Sequence, residues 1–136
     1  MAKVLILEDN LELALYWQRL LEAQNHGVQC CDTVAAALTL TEKMQPDLVI
    51  VDMLIKSGDT PLPQGGLTLV GKLKLLGTSC PPLLGVSGMK RSNYLKSTAL
   101  EVAEKMGLDL ALYKPISEEQ LLRAVSYLLT LKPVPN

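Results

Sequence analysis

Short aliphatic runs alternate along this chain with longer segments of helical period. Val4-Leu5-Ile6-Leu7, Leu48-Val49-Ile50-Val51, Leu83-Leu84-Gly85-Val86 and Leu110-Ala111-Leu112-Tyr113 have strand length. The unbroken apolarity of 48–51 marks a central strand covered on both faces. Adding Val28 to Cys31, the pattern predicts five strands: about Lys3 to Glu8, Val28 to Cys31, Leu48 to Val51, Leu83 to Val86, and Leu110 to Tyr113. Strands that alternate with helices predict an α/β fold built on a parallel sheet.

The helices between them carry their own start and stop signals. Asn10 is placed to cap a helix bearing Leu11, Ala14, Leu15, Leu20 and Leu21, which should end near Asn25-His26-Gly27, with the glycine as its C-terminal residue. Asp32 or Thr33 caps a second, with Ala36, Ala37, Leu40 and Met44, stopped by Pro46. Gly66 opens a third, with Leu67, Leu69, Val70, Leu73 and Leu76, closed by Gly77. A fourth is expected from about Ser92 to Met106, and a fifth opens at Ser117, whose spacing to Gln120 fits a capping box. Five βα units use up the chain as one domain over residues 1–131. Residues 132–136, with Pro133 and Pro135, read as a short tail or linker stub.

Composition narrows the function classes. A chain of 136 residues, 49% hydrophobic and 20% charged, holds a sizeable core without staples, and with no Phe and one Trp that core is aliphatic. Aromatic platforms for single-stranded nucleic acid are therefore not expected, and a net charge of -1 offers no basic field for DNA or RNA. Cys30, Cys31 and Cys80 have neither zinc-ligand spacing nor an even count, which points to free thiols in a reducing cytoplasm. Glu8-Asp9 cuts the first apolar run too early for a signal peptide, and no apolar stretch has the length of a membrane span. His26, the sole histidine, is expected as a cap or solvated loop residue. Tyr16-Trp17 should split into one packed and one half-exposed ring.

The chemistry lies where the strands end. Glu8 and Asp9 follow the first strand, Asp52 the third, Ser87-Gly88 the fourth and Lys114-Pro115 the fifth. Ligand sites of open parallel sheets lie outside the carboxyl ends of the strands. Three carboxylates and an ammonium converging there point to a divalent metal and a phosphoryl group.

Taken in order on five βα units, Glu8-Asp9, Asp52, Ser87-Gly88 and Lys114-Pro115 resemble the receiver domain of two-component response regulators over essentially the whole chain. The resemblance implies a doubly wound (βα)5 domain of flavodoxin-like strand order 2-1-3-4-5. It implies that Asp52 is the phosphoacceptor, taking a phosphoryl group from a histidine kinase or phosphotransfer protein. Glu8, Asp9, Asp52 and the backbone carbonyl of Leu54 would hold Mg²⁺. Lys114 and Ser87 would bind the phosphoryl oxygens, Gly88 would leave room for them, and Pro115, through a cis bond, would aim Lys114. Output would pass to a downstream protein through the face of the fourth helix, fifth strand and fifth helix, with Lys90-Arg91 near it; self-association into a homodimer is also compatible with the chain.

The chain departs from the family after Asp52. A loop over residues 53–65 is longer than the family's, has Ile55-Lys56 in place of a Met-Pro step and carries Asp59. Such a loop beside a site is usually functional. Ala111 stands where an aromatic switch residue is frequent, with Tyr113 on the same strand face. Apolar Leu54 and Met89 flank the phosphoryl site and imply slow hydrolysis of the acyl phosphate. The alternative reading is a receiver-like interaction module that takes no phosphate. A metal-dependent phosphatase of the haloacid-dehalogenase kind lacks its second Asp at position 54.

Overall fold

The computed structural model describes residues 2–53, 55–57, 60–62, 64–87, 105 and 107–131. In chain order the elements are β1 (Lys3–Leu7), α1 (Leu11–Glu22), β2 (Gly27–Cys31), α2 (Val34–Met44), β3 (Leu48–Asp52), β4 (Ile55–Ser57), β5 (Thr60–Leu62), α3 (Gln64–Lys74), β6 (Leu83–Ser87), β7 (Leu110–Tyr113) and α4 (Glu118–Leu129). Five strands form a parallel sheet in the order β2-β1-β3-β6-β7, the flavodoxin-like order expected from the resemblance. The predicted helix over 92–106 lies outside the described residues apart from Lys105, as do Leu54, Asp59, Gly88, Met89, Lys90 and Arg91.

The two-residue period of a strand sorts its side chains onto two faces, and both faces are covered. Val4, Ile6, Leu48, Ile50, Leu84 and Val86 pack with Trp17 and Leu21 of α1 and with Leu121, Val125 and Leu128 of α4. Leu5, Leu7, Val49, Val51 and Leu83 pack with Ala37 of α2 and with Leu69, Val70 and Leu73 of α3. Every residue of β3 is buried, as its continuous apolarity required.

Local signals set the helix ends. Asn10 accepts the Leu13 N–H, Thr33 rather than Asp32 accepts the Ala36 N–H, and Ser117 and Gln120 close a capping box at α4. At the end of α1 the turn differs from expectation. The left-handed residue is Asn25, with φ of 68°, while Gly27 is already in β2 and donates its N–H to the Ala2 carbonyl. Asparagine tolerates this conformation better than most side chains.

The segment after Asp52 is not all loop. β4 and β5 pair antiparallel, with Ile55 opposite Leu62 and Ser57 opposite Thr60. Among the described residues no helix is long and apolar enough to cross a membrane. The three cysteines are free, and burial is the main cause that raises each thiol pKa, that of Cys31 to about 12. Trp17 is buried and Tyr16 is 45% exposed, the expected split.

Candidate functional site

Strand order and register bring the carboxyl ends of four strands into one row. Leu7 stands beside Val51, Asp52 beside Val86, and Ser87 beside Tyr113. The residues at or just beyond those ends are Glu8, Asp52, Ser87 and Lys114. Backbone hydrogen bonds prolong the sheet past its formal ends: Glu8 N–H to the Cys31 carbonyl, Met53 N–H to Val86 and Lys114 N–H to Ser87. These side chains are thus anchored at the strand ends.

Glu8 is 2% exposed, Asp52 2% and Ser87 1%; Asp9 is half-buried. One oxygen from each of Glu8, Asp9 and Asp52 lies within 4.8 Å of the others. Two unit charges that far apart repel by about 3 kcal/mol at an effective dielectric of ~20, so the cluster needs positive charge nearby. Lys114 supplies some of it. Its Nζ stands 2.6 Å from Glu8 Oε1 and 3.5 Å from Asp52 Oδ2, and the Lys114-Pro115 bond that follows is cis. The other Glu8 oxygen accepts the Asn10 N–H, which ties the carboxylate to the start of α1.

The donor set fits a hard cation. Carboxylate oxygens converge without sulfur or imidazole, the preference of Mg²⁺. Glu8 Oε1 is buried and has no well-aligned hydrogen bond among the described residues; it meets the Lys114 ammonium at ion-pair distance. The ammonium is a stand-in for the positive charge such a cluster attracts.

Glu8, Asp9, Asp52, Ser87, Lys114 and Pro115 are therefore brought to one end of the sheet, while Leu54 and Gly88 fall outside the described residues. Two contributors were not singled out from sequence for what they do here. The sequence marks Gly66 only as a helix opener. A Cβ there would lie 2.6 Å from Met53 Cα and 2.7 Å from the Asp52 carbonyl oxygen, so its bareness lets α3 press against the end of the strand that carries Asp52. Of the Tyr16-Trp17 pair, expected to give one packed and one half-exposed ring, Trp17 is the packed one, and its ring also lies beneath the Lys114 ammonium, 5.8 Å from ring centroid to Nζ. No spacing signal links positions 17 and 114. The cavity lined by Gln45, Pro46, Cys80 and Pro81 lies toward the opposite end of the sheet and takes no part in this cluster.

The fold is shared with solved receiver structures. NtrX from Brucella abortus superposes with a TM-score of 0.80 at 19% identity over 96% of this chain, which spans 27% of that protein. A two-component response regulator from Clostridium difficile gives 0.79 at 19% identity, covering 96% of this chain and 97% of that one. The signal receiver domain of modulated diguanylate cyclase from Desulfovibrio desulfuricans G20 gives 0.78 at 20% identity, with 97% and 96% covered. No curated protein matches the chain. The family model of the response regulator receiver domain matches residues 4–126, the span that holds every strand-end group described above, and the chain belongs to that family.

Proposed function

We propose that this receiver domain, spanning residues 1–131, is the phosphoacceptor of a two-component phosphorelay, with Asp52 as the acceptor. A carboxylate oxygen of Asp52 attacks the phosphorus of a phosphohistidine on a kinase or phosphotransfer protein. The P–N bond breaks as the O–P bond forms, the imidazole nitrogen keeps the electron pair and takes up a proton, and Asp52 becomes an acyl phosphate. Phosphoryl transfer of this kind is mostly positioning and charge stabilisation. Lys114 follows the charge from the Asp52 carboxylate to a phosphoryl oxygen, and the Ser87 hydroxyl donates to another. Gly88 leaves space for them, and Pro115 orients Lys114. Glu8, Asp9, Asp52 and the Leu54 carbonyl would hold Mg²⁺, which when bound offsets negative charge on the carboxylates and the phosphoryl group.

The observation that carries this reading is the Lys114 ammonium lodged between Glu8 and Asp52, two carboxylates each 2% exposed, at the end of the fully buried central strand. The domain catalyses only its own phosphorylation and dephosphorylation, in the cytoplasm. It signals to a downstream protein through the face formed by the helix predicted over 92–106, β7 and α4.

Incubation with Mg²⁺ and a small phosphodonor, followed by intact-mass measurement, tests it. The expected result is a gain of one phosphoryl group, absent in Asp52→Asn. No gain in the native chain would support a receiver-like interaction module instead.

A further inference from the structure

Lys114 is held from two sides. Carboxylates meet its ammonium on one side, at 2.6 Å from Glu8 and 3.5 Å from Asp52. On another, the ammonium lies over the ring of Trp17, 5.8 Å from the centroid and inside the ~6 Å range of cation–π attraction. Trp17 is 1% exposed, on α1 among Ile6, Ile50 and Val86, and its indole Nε1 has no hydrogen-bond partner among the described residues.

That orphaned N–H is informative. A buried donor without an acceptor is costly, and a leucine or phenylalanine in this slot would carry no such cost. Apolar filling alone therefore does not account for an indole here. What the indole adds is an electron-rich face, and a cation stands over it. The lysine side chain is 21% exposed, so water weakens the attraction without abolishing it.

We propose that Trp17 is a positioning residue that seats the Lys114 ammonium at the carboxylate cluster, so that the lysine is aimed at the phosphoryl oxygens when Asp52 reacts. Its effect on rate rests on Asp52 being the acceptor; its contact with Lys114 does not. Trp17 touches no reacting atom. It acts through the lysine alone.

The experiment has two independent readouts. In the native chain, NMR should find the ε-methylene protons of Lys114 shifted upfield by the indole ring current. That shift should vanish in Trp17→Leu and persist, reduced, in Trp17→Phe. The rate of Asp52 phosphorylation by a small phosphodonor should fall roughly two- to thirtyfold in Trp17→Leu, the span of cation–π energies, and largely recover in Trp17→Phe. Lys114 protons at their unshifted position in the native chain would overturn the proposal, and that measurement needs no variant to fold. Trp17→Phe as slow as Trp17→Leu would overturn it too. Absence of phosphorylation in the native chain would instead reject Asp52 as the acceptor and leave the NMR result to decide on Trp17.

Discussion

Replacing Lys114 by methionine removes a cation from the edge of a buried anionic cluster at nearly constant side-chain length. The ammonium stands 2.6 Å from Glu8 Oε1 and 3.5 Å from Asp52 Oδ2. At an effective dielectric of ~20 these separations correspond to attractions of about 6 and about 5 kcal/mol. Desolvation of the three groups offsets much of that, and removing one partner of a buried ion pair typically costs about 3–5 kcal/mol. Lys114 keeps 21% of its side-chain surface in water, so the lower figure applies. Lys114→Met should therefore lose about 3 kcal/mol in EDTA, lowering the thermal midpoint by about 10 °C for a domain of this size. The assay is thermal or urea unfolding of native and variant chains, in EDTA and in Mg²⁺. Mg²⁺ should narrow the difference, because a divalent ion at the carboxylates takes over the missing charge. Asp52→Asn in the Lys114→Met background should recover part of the loss by removing one negative charge from the carboxylate cluster. A variant as stable as the native chain in EDTA would refute the electrostatic account.

Three further outcomes follow from other parts of the molecule. Gly66→Ala puts a Cβ 2.6 Å from Met53 Cα and 2.7 Å from the Asp52 carbonyl, backbone atoms that cannot yield cheaply. It should cost about 2–3 kcal/mol, read as a lower urea midpoint, and an unchanged midpoint would contradict the close approach. His26 has its pKa lowered below 6.5, first by burial and then by the positive N-terminus, and its Nδ1 accepts the Ala2 N–H. The unfolded chain then binds more protons, so His26 contributes no penalty above pH ~6.5 and lowers stability as pH falls through its depressed native pKa; His26→Gln should flatten that part of the stability profile. The Cys31 thiol, raised to about 12 by burial first and by Cys30 and Asp32 after it, should resist iodoacetamide at pH 7.5 while folded. Its alkylation at the rate of a free thiol would show that the thiol is not shielded.

The sheet was legible because each of its strands declares itself over four or five residues. β3 is an unbroken aliphatic run, and its burial on both faces follows directly. Caps were legible for the same local reason: Asn10, Thr33 and Ser117 act on N–H groups three residues away. The β4–β5 ribbon was not. Its strands are three residues each, too short to show a period, and Pro61 within one of them argues against a strand. The turn at Asn25 was misread because Gly27 is the stronger local signal, while the Gly27 N–H was already committed to the Ala2 carbonyl across the sheet. At the site, residue types and order predicted which groups gather at the strand ends. They did not predict that Glu8 would be the nearer carboxylate to Lys114, nor that Gly66 and Trp17 would shape the site. Those facts arise from contacts between residues far apart in sequence, 106 positions for Glu8 and Lys114, and no periodicity records them.

The central claim is that Asp52 is the carboxylate that carries the phosphoryl group. Borohydride reduction of the phosphorylated chain converts an aspartyl phosphate to homoserine, and peptide mass mapping locates it. Homoserine is expected at position 52 alone, with no product when Asp52 is replaced by Asn. Homoserine at position 9, or a phosphoryl group that resists borohydride and maps to a hydroxyl side chain, would contradict it.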